Sequence, residues 1–213
     1  MPSTRVLVLG ASGRTGHHVV TYALAKGYDV TAHVRDPQRL TLSSAGLRVV
    51  TARIPEDGDA LAAAIRSQDV VISTLGRGNS FRSENLFARA MPVLVREMES
   101  AGVRRLILMS GYGVGITYRD VPAIPRLFSR TLLRGIYADK EIGEGHVPRS
   151  NLDWTIVYPP ALTNKPATGR YQVGERLTLR GVPSIARADV AEFLVSQVED
   201  RTYSRKGVLV APQ

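Results

Sequence analysis

Short runs of aliphatic and β-branched residues alternate along the chain with amphipathic stretches, regularly enough to be read as elements. "RVLVLG" (5–10) is an apolar run closed by glycine, the pattern of a strand buried on both faces of a parallel sheet. "RTGHHVVTYALAKG" (14–27) follows, with Val19, Val20, Ala23 and Leu24 on one helical face and Gly27 as its stop. Further strands are predicted over 28–36, 47–52, 69–76, 104–111 and 153–160. Helices are predicted over 59–68 and 83–102, with at least one more within 126–150 after a proline-marked loop. Pro92 inside the long helix predicts a kink there or a later start. Beyond residue 160 the pattern changes: 168–181 reads as a small strand pair, 186–200 as a helix and 206–212 as a closing strand.

Five β-α alternations call for right-handed crossovers and helices on both faces of a parallel sheet. The expected architecture is therefore α/β, a doubly wound parallel sheet (Rossmann fold). It forms a single domain over residues 1–213, with a small C-terminal extension. The length of 213 residues and the 44% apolar content suit one such core.

Composition narrows the function classes. No run approaches the ~18 consecutive apolar residues of a membrane span, and the first residues lead straight into a strand without a secretion signal. A cytoplasmic protein with no membrane partner is the expectation. The absence of cysteine excludes disulfides and thiolate chemistry. His17, His18, His33 and His146 lack metal-ligand spacing, so no metal is expected. The net charge is +9, but the arginines are scattered without lysine runs or interleaved aromatics. That is a solvated basic surface rather than a nucleic-acid footprint. A monomer or weak homo-oligomer is expected.

The informative stretch is "LGASGRTGHH" (9–18), which spaces Gly10, Gly13 and Gly16 by threes between the first strand and the first helix. On a strand-turn-helix within a βαβ unit this is a dinucleotide fingerprint. Gly10 makes the turn, Gly13 lets the backbone approach a pyrophosphate, and Gly16 lets the helix pack close. Ser12, Arg14 and Thr15 complete the candidate phosphate loop. The second strand ends "HVRDP", placing Arg35 before Asp36. An arginine at that tip pairs with a 2′-phosphate, whereas an acid there would hold a 2′-hydroxyl. With Arg14 across from it and Arg39 as a third candidate, the pattern favours NADP (NADPH) over NAD.

Several segments together resemble a known family: "VLVLGASGRTG", "GYDVTAHVRDP", "DVVISTLG", "GVRRLILMSG", "SNLDWTIVYPPAL" and "SIARADVAEFL". They resemble the atypical, NmrA-like short-chain dehydrogenase/reductase group that binds NAD(P)H, and within it the biliverdin-IXβ reductase/flavin reductase branch. The likeness runs nearly end to end. It implies six or seven strands with NADP along their tips and Arg35 at the 2′-phosphate. Leu75 and Gly76 would lie near the nicotinamide ribose, with Ser110, Tyr158, Pro159 and Pro160 flanking the nicotinamide. One departure is Arg53, which stands where relatives carry an Asp near the adenine.

The other departure is catalytic. Ordinary short-chain dehydrogenases use a Tyr and a Lys four residues apart, whereas Tyr137 and Lys140 are three apart. Ser110 and Lys140 remain the candidate catalytic residues, Lys140 pairing with Glu144 at i,i+4 and reaching toward the cofactor ribose. Asp189 reads as a helix-dipole or cap residue, and His33 as structural. The implied activity is NADPH-dependent hydride transfer to a conjugated small-molecule acceptor such as a flavin or bilin. Such a transfer needs mainly positioning and can draw its proton from water. The alternatives are a non-catalytic redox sensor of the NmrA type and a nucleotide-sugar epimerase or dehydratase. The short C-terminal region disfavours the last.

Overall fold

The alternating pattern builds one eight-stranded sheet. The computed structural model describes residues 3–76, 85–120, 134–179 and 181–213. In chain order the strands are β1 (Arg5–Leu9), β2 (Asp29–Val34), β3 (Leu47–Thr51), β4 (Val70–Ser73), β5 (Arg105–Met109), β6 (Asp153–Tyr158), β7 (Ala161–Thr163), β8 (Tyr171–Gly174), β9 (Ser184–Ala186) and β10 (Lys206–Pro212). The helices are α1 (Arg14–Ala25), α2 (Gly58–Ile65), α3 (Leu86–Ser100), α4 (Arg134–Glu144) and α5 (Arg187–Ser196).

The strand order is β3-β2-β1-β4-β5-β6-β10-β8, parallel throughout except for β8 at the edge. Alternate side chains along each buried strand feed two cores. Val6, Val8 and Ile107 pack beneath α1 and α5, and Leu7, Leu9 and Leu106 beneath α2 and α3. Strand order reverses between β1 and β4, so the crevice outside their carboxyl ends is where this architecture takes a ligand.

The C-terminal extension is not an appendage. β10 enters the main sheet beside β6, and β8 pairs antiparallel with β10. Of the small pair expected within 168–181, only β8 is a strand among the described residues, and its partner is β10. β7 and β9, outside that segment and not expected, form a separate parallel pair. The local pattern marked β8 and β10, but strands that pair this far apart in the chain are not matched by local pattern. The long helix starts at Leu86 and runs through Pro92. Residues 83–84 of its expected start, and the segment 121–133, lie outside the described residues.

α3 begins on Asn85, which is left-handed (φ 51°) and offers no side-chain cap. The cap comes from the neighbouring helix: the Asp139 carboxylate of α4 accepts from Phe87 N (3.2 Å) and Ala88 N (2.9 Å). An acid on a helix N-terminus satisfies orphan donors and complements the dipole. Closer to the C-terminal end of α4, a Cβ on Gly143 would lie 2.4 Å from the Phe87 backbone, so only glycine lets the two helices approach this closely. Asp139→Ala should lower unfolding free energy by about 1–2 kcal/mol. Chemical denaturation checks this, and an unchanged midpoint would contradict the cap.

Candidate functional site

The site is organised by the turn from β1 into α1. Gly10 is left-handed (φ 76°), and a Cβ on it would lie 2.9 Å from Thr74 O, so β4 presses directly on the turn. A Cβ on Gly16 would lie 2.1 Å from Gly10 O. The helix can therefore start this close to the strand only with glycine at that position. Thr74 Oγ1 ties the two strands from beneath, donating to Leu9 O (2.9 Å). Gly13 N donates to Gly10 O (2.9 Å) and closes the loop. Gly13 itself is exposed and serves as the N-cap of α1. No side chain caps this helix and no acid lies in its first turn, so its N-terminal amides face an open space suited to an anion. Ser12 is half-buried and Thr15 buried. The residues present thus fit a pyrophosphate.

At the tip of β2 the two charged residues divide their roles. Asp36 turns its carboxylate onto Gln38 N (3.1 Å) and caps the short 3-10 turn Pro37–Arg39. Arg35 is exposed, as are Arg14 and Arg39. None of the three side chains makes a hydrogen bond or ion pair among the described residues. The cation is available to a ligand and the acid is engaged locally. Beyond β3, Arg53 is exposed and its backbone N donates to Asp57 Oδ2 (2.7 Å), so Asp57 is the acid near this rim. His33 is buried, and burial lowers its basicity, so it stands as a neutral residue under the strand end.

The other half of the crevice lies at the ends of β4, β5 and β6. Leu75 is half-buried against the α2–α3 core, and Gly76 is exposed. Ser110 is buried at the end of β5, its N bonded to Val157 O (2.8 Å). Lys140 Nζ donates to Ser110 O (2.9 Å) and lies 5.1 Å from the Phe87 ring centre. Tyr137 is half-buried, and its O–H reaches Tyr112 O at 3.4 Å. Burial pushes its phenol pKa up, the opposite of what a tyrosine acid assisted by a lysine requires.

Tyr158 is placed otherwise than the resemblance implies. Its ring is a core residue, 1% exposed, and its O–H donates to Glu144. The side chain is therefore engaged below the strand end rather than at its tip. Pro159 and Pro160 are buried, and Pro159 O accepts from Tyr112 N (2.9 Å), locking the turn after β6 to the loop after β5. Asp189 likewise does not cap its own helix. It accepts from Thr168 N (2.8 Å), Gly169 N (3.0 Å) and Thr168 Oγ1 (2.9 Å), pinning the approach to β8.

Arg187 escaped the sequence reading, and Glu144 entered it only as the i,i+4 partner of Lys140. Arg187, at the start of α5, donates to Leu162 O (3.1 Å) and Asn164 Oδ1 (2.7 Å), and the nearby Arg14 cation opposes its charge. Glu144 is buried beside Ser110. The only signal for its burial was its setting between Gly143 and Gly145, which marks a close helix approach. A shallow depression of about 490 Å³ lies at the opposite, amino-terminal edge of the sheet, among Arg5, Asp29, Arg48 and Arg66. It has no glycine loop and lies away from the strand tips. Among the described residues no group of three His, Cys, Asp or Glu gathers as a metal site, and no helix is long and apolar enough to cross a membrane.

A left-handed turn, an uncapped helix and a strand-order reversal define a dinucleotide-binding Rossmann protein. The NAD(P)H-binding family model matches residues 10–201, and the chain belongs to that family. An uncharacterised chloroplastic protein of Arabidopsis thaliana is 31% identical over 96% of this chain and 75% of its own length. An uncharacterised sugar epimerase of Bacillus subtilis is 26% identical over 92% of this chain and 89% of its own length. Among solved structures, the anaerobilin reductase ChuY of Escherichia coli O157:H7 superposes with a TM-score of 0.80. It is 25% identical, and the match covers 97% of this chain and 96% of that one.

Gly13→Val should abolish dinucleotide binding while the fold persists. Its Cβ would lie 3.0 Å from Gly10 O, which the exposed loop can relieve by a small shift, and its branches would enter the space the phosphates need. Circular dichroism should show a melting temperature within about 4 °C of the parent, alongside loss of cofactor fluorescence enhancement. A folded variant that still binds would contradict the placement.

Proposed function

We propose that the chain is an NADPH-dependent oxidoreductase that reduces a planar conjugated acceptor, a flavin or a bilin. The observation that carries the cofactor choice is the exposed Arg35 beside an Asp36 already spent on Gln38 N. Charge-assisted, bidentate pairing to a 2′-phosphate is what such a guanidinium offers. Gly10 to Gly16 would hold the pyrophosphate, with Arg14 and Arg187 adding positive charge at its rim. When bound, the nicotinamide supplies a hydride. The chain's own part is to fix the cofactor at the strand tips and leave the crevice beside Leu75, Gly76 and Ser110 for a flat acceptor.

The hydride-transfer reading is supported by what the α4 residues do not offer. Tyr137 is held on a backbone carbonyl with its acidity weakened by burial, and Lys140 is turned to Ser110 O. The likeness to an anaerobilin reductase supports a bilin as one acceptor. The epimerase name of the Bacillus relative raises a sugar-nucleotide reading. That reading is opposed by the return of β8 and β10 into the main sheet, which leaves little chain to build a sugar-binding lobe.

NADPH oxidation should be followed against flavins, quinones and bilins. Turnover with a conjugated acceptor is expected; tight binding without turnover on any of them would favour the redox-sensor reading. NADPH should bind more tightly than NADH by about 2–4 kcal/mol, and Arg35→Ala should remove most of that difference. Equal affinities in the parent would contradict the 2′-phosphate site. Tyr137→Phe should leave kcat within about threefold of the parent, whereas removing a true general acid lowers it ~10²-fold or more. A hundredfold drop with unchanged NADPH affinity would make Tyr137 the acid after all.

A further inference from the structure

Beneath the strand end that carries Ser110 lies a buried polar cluster that cofactor binding does not use. Gly143 brings α4 hard against α3, and the next residue, Glu144, is thereby carried inside, 5% exposed. Tyr158 donates its O–H to Glu144 Oε1 from β6 and accepts from the Ile116 backbone N–H. Gly115 closes the cluster from above: a Cβ there would lie 2.1 Å from Glu144 Oε1. The second carboxyl oxygen, Oε2, has no hydrogen-bond partner, and neither has Ser110 Oγ, although both are buried. A small movement of the Ser110 hydroxyl toward Glu144 is enough to join the two oxygens by a hydrogen bond. The carboxyl is enclosed and makes no ion pair among the described residues, and a carboxyl buried in that way is favoured in its neutral form.

We propose that Glu144 is a neutral carboxylic acid that stores the proton for the reduction, and that Ser110 is the residue that delivers it to the acceptor. The proposal rests on the reductase reading and replaces bulk water as the proton source. Ser110 gives its hydroxyl proton to a heteroatom of the acceptor, and its O–H re-forms with the proton from Glu144. Glu144 is left as a carboxylate, and solvent returns its proton after the product leaves. Hydride and proton together complete a two-electron reduction, with no further reductant. Ser110 Oγ is enclosed beside the acid, so delivery requires one χ1 step that turns the hydroxyl from Glu144 to the crevice.

The charges around Glu144 are consistent with the neutral form. Burial dominates and pushes its carboxyl pKa above the usual carboxylate range. Tyr158 from β6, Ser110 from β5 and Lys140 from its own helix oppose that rise, while Glu141 adds to it. A carboxyl whose folded pKa is raised contributes stability at low pH that is lost as pH climbs through the folded value. Glu144→Gln should therefore gain stability relative to the parent as pH rises.

The test has an arm that needs no turnover. Infrared spectra of the cofactor-free protein should show a carboxylic-acid C=O band near neutral pH that disappears in Glu144→Gln. The second arm is the pH profile of kcat for NADPH oxidation with the best acceptor of the panel. The parent should lose activity as pH rises through Glu144. Glu144→Gln should lower kcat ~10²-fold and abolish that limb, with NADPH affinity unchanged. Ser110→Ala should do the same, and the double variant should cost no more than either single one. Should Glu144→Gln fail to fold, the lost limb in Ser110→Ala carries the test, since it removes one oxygen from a strand end. Turnover with an unaltered limb in a folded variant, or no acid band in the parent, overturns the relay alone. An acid band with no turnover on any acceptor overturns the reductase reading, and the delivery step with it.

Discussion

The carbonyl of Gly10 occupies the space where residue 16 would otherwise carry a side chain, and the rest of the crevice follows from that contact. With glycine at position 16 the first turn of α1 seats on the end of β1. Thr74 then clasps the turn from β4 through bonds to Leu9 O and Gly10 O. An alanine at either position would push helix and strands apart by about a methyl radius. The uncapped amides of α1 would then no longer point at the strand-order reversal between β1 and β4. The glycines lose backbone entropy on folding, and what they secure is a fixed separation between a helix dipole and two strand ends.

Around that corner the molecule treats its charged groups in two ways. Those near the cofactor crevice are left open: Arg14, Arg35 and Arg39 are exposed, while the acid beside them, Asp36, is turned away onto a backbone amide. Those beneath the sheet are enclosed and satisfied. Arg105 is 2% exposed and divides its guanidinium between Gln197 O and Asp153, and burial brings its pKa down to about 10. Glu144 and Tyr158 are enclosed in the same manner at the opposite end of the strands, where Glu144 Oε2 and the neighbouring Ser110 Oγ are left without partners.

Much of this was legible in the chain because parallel strands buried on both faces have to be apolar runs, and a glycine triplet at such a strand's end has few other uses. The arginine-before-aspartate order at β2 was legible for the same reason: strand tips are local. What stayed hidden depends on partners far apart in sequence. β10 enters between β6 and β8, so the strand expected to pair within 168–181 pairs with β10, and β7 and β9 pair separately. The family resemblance put Tyr158 beside the nicotinamide, yet strand alternation turns its ring into the core. Asp189 looked like an ordinary helix acid but pins a neighbouring segment, and Asp139, which the sequence did not single out, caps the neighbouring helix. Glu144 was read as the i,i+4 partner of Lys140, and only its flanking glycines hinted that it is buried.

The most direct measurement is the phosphorus NMR spectrum of bound NADP across pH. If the 2′-phosphate is paired with Arg35, its resonance should hold the dianion position to a lower pH than in the free cofactor, because a paired cation favours the charged form. The pyrophosphate resonances should shift as well, on the amides of the Gly10–Gly16 turn. A 2′-phosphate that titrates as it does in free solution, while the pyrophosphate is bound, would contradict the assignment of Arg35 and with it the choice of NADPH.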